Sequence, residues 1–158
     1  MTDNIENVHG GNILDADVDA VVNPVNCVGV MGKGLALQFK TRYPKMFEQY
    51  AIACKQGWVK PGTMNTHVVS GDGPRWVINF PTKDHWKSPS KIGYISIGII
   101  GLIRTIHELD ITSVAIPPLG CGLGGLSWSD VEPLIRQVAE ALPDVKVLIF
   151  HPHPVDAP

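Results

Sequence analysis

No apolar run in this 158-residue sequence approaches the roughly 20 residues needed to span a bilayer, so an integral membrane protein is not expected. The opening residues 1–12 are polar and acidic. They lack the basic cluster followed by an apolar run that marks a secretory signal, and a cytoplasmic location is expected. Cysteine is scarce: Cys27, Cys54 and Cys121 are too few, and odd in number, for a disulfide framework, and reduced thiols fit better. No CxxC or HExxH spacing occurs, so neither a structural nor a protease-type zinc site is expected, and no metal or other cofactor is indicated. An excess of one charge is lacking too. Lys plus Arg number 13 against 15 Asp plus Glu, a net charge of -2, which excludes a protein that coats DNA through charge alone. Repeats, low-complexity blocks and internal linkers are absent. What is present is 44% apolar and 18% charged residues in a chain of single-domain length, enough to bury a core.

Five short apolar runs read as strands: 19–22, 65–69, 76–80, 113–116 and 146–150. A further edge strand fits 6–9. Helical spacing links Phe47, Tyr50, Ala51 and Cys54, with Pro44 placed to start the helix and Gly57 to stop it. A second stripe runs through Ile92, Ile95, Ile99, Leu102, Ile103 and Ile106, and a third through Val131, Leu134, Ile135, Val138 and Leu142. Ser129 and Glu132 form a capping-box signature for the third. Strands alternating with helices predict a layered α/β domain with a largely parallel or mixed sheet, buried on both faces. Residues 1–150 read as that domain, and 151–158 as a Pro- and His-rich tail.

In such sheets ligands sit beyond the carboxyl ends of the strands. Two of the loops there are glycine-rich and lead into helices: Asn23 to Gly34, and Pro117 to Gly125. Glycine lets backbone amides approach a ligand, and helix N-termini add partial positive charge, so each loop can cradle phosphate. Two cradles in one small domain suggest a diphosphate between them. A Walker A loop fails, because Cys27 stands where its first glycine belongs and Gly34 where its hydroxyl belongs. Gly120-x-Gly122-x-x-Gly125 matches a dinucleotide fingerprint, but the acidic residue expected after the next strand is missing at Phe150-His151. The loops therefore imply phosphate cradling without a P-loop NTPase or a dehydrogenase.

Several motifs together resemble the macrodomain family. They are Gly11-Asn12-Ile13-Leu14, the strand Val18 to Asn23, Asn26, and the loop Pro117 to Leu126. Asn26 to Lys40, Asn79 to Trp86, and Gly120 to Leu126 are similar to the DarG-like subgroup, which removes ADP-ribose from thymidine bases in DNA. The resemblance covers residues 5 to 150. It implies a three-layer α/β/α macrodomain fold with a mixed, mostly parallel sheet, and ADP-ribose bound across the strand ends. Asn12 and Ile13 would lie at the adenine end, where many macrodomains carry Asp in place of Asn12. Val30, Met31, Gly32, Lys33 and Gly34 would hold the diphosphate and distal ribose with Gly120, Cys121, Gly122, Leu123 and Gly124. Asn26 would bond the distal ribose, Thr82 and His85 would flank it, and Lys83 falls on the family's catalytic lysine.

The implied reaction cleaves a glycosidic bond at an anomeric carbon, through a transition state with carbocation character. A neutral lysine amine can attack the ring-opened carbon to give an imine-type intermediate. A protonated one can act as an acid on the leaving group. Both roles stay open from sequence. Lys87, Lys91, His85 and Arg75 lie close to Lys83 along the chain, with Asp84 opposing them. Relatives that act on glutamate esters pair their lysine with an aspartate in the last glycine loop; here that position is Gly124, which favours the DNA-directed pattern. Hydrolysis of ADP-ribose esters on protein, and non-catalytic reading of ADP-ribose, remain as alternatives. ADP-ribosylated DNA or protein, and a cognate ADP-ribosyltransferase, are the implied partners.

Other residues carry blander readings. Cys27 and Cys121 flank the site, but no histidine forms a partner motif, so packing is expected of both. His85 and Trp86 fit either nucleotide stacking or loop packing, and packing beneath its own loop is expected of the Met31 side chain. Asp17 and Asp19 precede a strand, at the wrong end of the sheet for a glycosidase pair.

Overall fold

The computed structural model describes residues 3–153. Six strands form one sheet in the order β1-β6-β5-β2-β4-β3. They are β1 (Ile5–Val8), β2 (Ala20–Val25), β3 (Asn65–Val68), β4 (Trp76–Pro81), β5 (Ser113–Ile116) and β6 (Lys146–Phe150). All neighbours are parallel except β3, which runs antiparallel to β4 at the edge. Four helices cover the sheet: α1 (Gly34–Arg42), α2 (Pro44–Lys55), α3 (Ile92–Glu108) and α4 (Trp128–Ala141).

The three layers follow from period-two alternation in the inner strands, which are mostly apolar and buried on both faces, while the edge strands β1 and β3 are polar and partly exposed. Ala20 and Val22 of β2 pack with Ile78, Phe80, Val114, Ile116 and the buried sides of α3 and α4. Val21 and Val25 point the other way, onto Phe39, Met46, Tyr50 and Ala53 of α1 and α2. The expected α/β/α arrangement with a mixed, mostly parallel sheet is therefore the observed one. Helix α3 carries glycine inside it for close approach. A Cβ on Gly98 would meet the Phe80 ring at 2.2 Å, and one on Gly101 would meet the Gly62 carbonyl oxygen at 2.4 Å.

A polar ladder crosses the buried sheet. Asn23 Nδ2 donates to Asn79 Oδ1 at 3.0 Å, and Asn79 Nδ2 donates to Asn65 Oδ1 at 3.1 Å. These residues are register partners, so a one-residue slip of either strand would bury unpaired amides.

Some boundaries differ from the sequence reading. Strand β2 continues through Pro24 to Val25. The Val25 carbonyl faces β4, where it accepts from Thr82 N at 2.9 Å, so Pro24 faces β5. Strand β5 pairs with β2 at Ala20 and Val21, so the missing proline donor interrupts no bond. The Ser129–Glu132 capping box does not form. Ser127 already has extended N-cap geometry, which puts Ser129 inside the helix, and Glu132 pairs instead with Arg136 at 3.3 Å. The first residues of the expected tail are folded against the body: His151 N donates to the Val8 carbonyl at 2.9 Å, and the His151 ring stacks on His9. Residues 154–158 lie outside the described residues.

Candidate ADP-ribose cleft

The loops leaving β1, β2, β4, β5 and β6 surround one cleft of about 1290 Å³. That exceeds a typical small-ligand pocket of roughly 300–1,000 Å³ and suits a long ligand lying across the strand ends.

The β2 loop is shaped from within. Asn26 Oδ1 accepts from Val28 N at 3.1 Å and Val30 N at 3.3 Å, while its Nδ2 donates to the Val30 carbonyl at 2.7 Å. The buried Tyr50 hydroxyl donates to the Asn26 carbonyl at 2.7 Å and lies 2.9 Å from Oδ1. Burial pushes that phenol well above its ordinary range, so it stays a donor. Asn26 thus lines the cleft while most of its amide holds the loop; one Nδ2 hydrogen is left to face a ligand. Gly32, Lys33 and Gly34 follow on the cleft wall and start α1. Lys33, the N-cap, offers no side-chain bond to the first turn, so the first amides of α1 remain donors for an anion.

Opposite lies the β5 loop. Gly120 has φ +75°, where a side chain is strained, and a Cβ there would meet Leu126 at 2.6 Å. Gly120, Cys121, Gly122, Leu123 and Gly124 all line the cleft, the last three as a 3₁₀ turn. Leu123 reaches across toward the β2 loop, its Cδ1 3.1 Å from where a Cβ on Gly34 would sit.

Lys83 lies between the two cradles. Thr82 N donates to the Val25 carbonyl and Cys27 N to the Asp84 carbonyl, each at 2.9 Å. Those bonds bracket Lys83, so the β4 loop and the β2 loop move as one piece. Lys83 is partly buried and lines the cleft with Thr82. Ser90, from the same loop, is also on the wall. Its Oγ is buried without a hydrogen-bond partner, and it occupies the space beside Gly124, where a Cβ would come within 2.4 Å of it.

Asn12 and Ile13 line the other end with Gly10 and Gly11. Asn12 Oδ1 caps a 3₁₀ turn by accepting from Leu14 N at 3.0 Å, and its Nδ2 donates to Gln38 at 3.3 Å. The cleft gathers fourteen of the sixteen residues named from sequence and leaves out two: Met31 and His85. Met31 is 1% exposed, turned beneath its loop with Sδ near Asn23. His85 is folded back into its own turn, where Nδ1 accepts from Lys87 N at 3.1 Å and the ring packs on Trp86. Trp86 takes the place on the wall instead. Sequence reading missed Lys87, Ser90, Pro117, Pro118 and the Phe150 to His153 segment as wall residues. The prolines and the segment after β6 carried a signal, since each follows a strand directly; Ser90 carried none.

The two thiols flanking the cleft are held in their protonated form. Burial first, then Asp84 and Cys54, pushes Cys27 up to about 12. Burial pushes Cys121 up to about 11. Both stay protonated near neutral pH. Among the described residues, no group of three His, Cys, Asp or Glu side chains could hold a metal ion, and no helix is long and apolar enough to cross a membrane.

Comparison with known proteins agrees with this geometry. The Macro domain model matches residues 22–135. A DNA ADP-ribosyl glycohydrolase of Mycobacterium tuberculosis is 58% identical over 144 residues, covering 90% of this chain and 41% of that protein. The chain spans about two fifths of the length of these curated relatives. The solved macrodomain of Mycobacterium tuberculosis DarG superposes with a TM-score of 0.90 at 55% identity, over 93% of this chain and 98% of that one. Thermosipho africanus DarTG, solved in complex with ADP-ribose, superposes with a TM-score of 0.87 at 34% identity, over 96% of this chain and 42% of that one. With the sheet order and the paired glycine loops, this chain belongs to the macrodomain family, among its DarG-like members.

Proposed function

We propose that the cleft binds ADP-ribose and that the protein hydrolyses the bond joining mono-ADP-ribose to thymidine bases in single-stranded DNA, with Lys83 as the catalytic residue. The observation that carries this reading is the placement of Lys83. Its backbone is bracketed by two hydrogen bonds that join the β4 and β2 loops, and the residue lines the same cleft as the two glycine-rich loops. The names of the relatives support the same substrate class.

In this reading Asn12 and Ile13 hold the adenine end, and the amides of Val30 to Gly34 and Gly120 to Gly124 hold the diphosphate. The distal ribose then presents its anomeric carbon to Lys83, beside Asn26 and Thr82. The bond from that carbon to the base breaks. The base leaves with the electron pair and takes a proton, and water supplies the hydroxyl that ends on the sugar. A covalent route puts the Lys83 amine on the anomeric carbon first, and water then clears the imine. Borohydride tells the routes apart, because it traps an imine as a stable adduct on Lys83 and leaves an acid unlabelled.

Gly124 bears on the leaving group. The lysine–aspartate pairing implied for ester-directed relatives has no aspartate here, and Ser90 fills the space where its Cβ would stand. A cognate ADP-ribosyltransferase is the class of enzyme that must supply the modified DNA. The test is a matched pair of substrates, an oligonucleotide carrying ADP-ribose on thymine and a protein carrying it on glutamate. Release from the oligonucleotide at a rate at least ~100-fold above the ester is expected. Release from the ester alone overturns the DNA reading, and binding without release from either reduces the cleft to a reader.

A further inference from the structure

Trp86 is a large aromatic side chain left 47% exposed on the wall of the cleft, three residues beyond Lys83. It is presented rather than loose. Lys87 N donates to His85 Nδ1 at 3.1 Å and Ser88 N to the His85 carbonyl at 2.9 Å, closing a turn around the indole. The His85 ring packs against it, with centroids 5.4 Å apart. The base of the turn is anchored on both sides: Cys27 N donates to the Asp84 carbonyl, and the Tyr94 hydroxyl donates to Asp84 Oδ2 at 2.6 Å.

The surroundings are cationic in an otherwise acidic chain. Residues 83–91 hold three lysines against one aspartate, while the whole sequence carries -2. The Lys87 ammonium lies over the Trp86 ring, 5.0 Å from its centroid, and that of Lys91 over the Tyr94 ring at 5.3 Å. A base stacking on that face of Trp86 would displace the Lys87 ammonium toward solvent and the phosphate of that base. Among the described residues, the ion pairs leave out Lys83, Lys87 and Lys91, and the Asp84 carboxylate is occupied by Tyr94. An aromatic face beside unpaired ammonium groups is the chemistry that recognises single-stranded nucleic acid, by stacking a base and contacting its phosphate.

We propose that Trp86 and Lys87 form a subsite for the strand that carries the modification: Trp86 stacks a nucleobase beyond the scissile bond, and Lys87 contacts an adjoining phosphate. This rests on the DNA-directed reading above and adds to it a group that distinguishes modified DNA from free ADP-ribose. An ester-modified protein offers no base to stack, and in this proposal the indole serves the strand on the leaving-group side of Lys83 rather than the ADP-ribose itself.

The experiment compares wild type with Trp86→Ala, Trp86→Phe and Lys87→Ala. It measures KM and kcat on a single-stranded pentanucleotide carrying ADP-ribose on its central thymine, and on the modified nucleoside alone. Calorimetry with free ADP-ribose is run beside them. For Trp86→Ala the pentanucleotide KM is expected to rise on the order of 10-fold or more, as for loss of one stacked base. Its kcat and its Kd for free ADP-ribose should change less than ~3-fold, and Trp86→Phe should restore most of the loss. Lys87→Ala should flatten the dependence of log KM on log salt by about 0.7, the value of one single-strand phosphate. If the nucleoside shows the same loss, the stacked base is the departing thymine; if it does not, the base is its neighbour. Either places Trp86 in the subsite. An unchanged pentanucleotide KM with active wild type overturns the subsite and leaves the DNA reading intact. Equal weakening of free ADP-ribose also overturns it, because Trp86 would then belong to the ADP-ribose site. Wild type that binds ADP-ribose but does not act on the pentanucleotide overturns the substrate reading, and the subsite with it.

Discussion

Replacing Gly124 by alanine tests the geometry of the last glycine loop, because two neighbouring atoms set the cost. A Cβ at residue 124 would sit 2.4 Å from Ser90 Oγ and 3.0 Å from Ser90 Cβ, against carbon contacts of about 3.5–4.0 Å in packed interiors. Turning the Ser90 hydroxyl away removes the first contact. It leaves the second, because Ser90 Cβ is fixed by a backbone that donates to the Gly124 carbonyl at 3.0 Å. One of the two loops must shift. Overpacking of this kind costs roughly 1–3 kcal/mol, on the order of 5 °C in Tm for a domain this size. Because both residues line the cleft, ADP-ribose affinity should fall several-fold as well. The pair of positions gives graded rescue. Ser90→Ala removes the 2.4 Å contact alone and should restore part of the loss, while Ser90→Gly removes both atoms and should restore nearly all of it. Ser90→Ala by itself should be neutral or slightly stabilising, since the hydroxyl is buried without a partner. Thermal melts and ADP-ribose calorimetry on the four single and double variants and wild type decide the matter. A Gly124→Ala protein with unchanged Tm and affinity, or a loss that Ser90→Gly does not relieve, would refute the steric argument. It would also remove the structural reason for a missing aspartate.

Three further perturbations follow from the fold. Tyr50→Phe deletes the donor to the Asn26 carbonyl, and Asn26 Oδ1 keeps its two backbone donors; a loss of about 1–2 kcal/mol, read by urea melts, should accompany weaker ADP-ribose binding. Two glycines of α3 should answer alanine oppositely. Gly101→Ala drives a Cβ into the Gly62 carbonyl and should lower Tm by several degrees, whereas Gly93→Ala meets nothing within 4 Å and should raise stability by roughly 0.5–1 kcal/mol. Burial lowers the pKa of His67, so the folded state binds a proton less readily than the unfolded chain. Its penalty is absent above the ordinary histidine value of about 6.5 and grows as pH falls below it. Tm should therefore decline from pH 7 toward pH 5, and His67→Gln should flatten that decline.

The layers were legible because period-two and helical stripes report burial directly. The β4 run Trp76 to Phe80 and the α3 stripe became the observed elements, with boundaries moved by a residue or two. The glycine loops and Lys83 were legible as positions after strands, and the cleft indeed opens there. Side-chain direction was only partly legible: packing is the expectation for Met31 and one of two readings of His85, but the resemblance also counts both among the ligand-holding residues. Met31 sits in a glycine loop on the cleft side of the sheet yet points into the core, and His85 is turned away by a bond within its own tight turn. Ser129 matched a capping pattern that Ser127 pre-empted two residues earlier. The contribution of residues 150–153 to the wall depends on β6 lying beside β1, a pairing between the two ends of the described chain. The blocking role of Ser90 depends on a contact across 34 residues of sequence, which no local pattern encodes.

The most direct test of the account is single-turnover release of ADP-ribose from a thymine-modified single-stranded oligonucleotide by wild type and Lys83→Ala, with ADP-ribose affinity measured on both. The account predicts rapid release by wild type and a loss of at least ~100-fold in Lys83→Ala, with affinities within about 3-fold, because the cradles hold the diphosphate without the lysine. Equal release rates would remove Lys83 from the chemistry. No release by wild type, with ADP-ribose still bound, would contradict the proposed reaction.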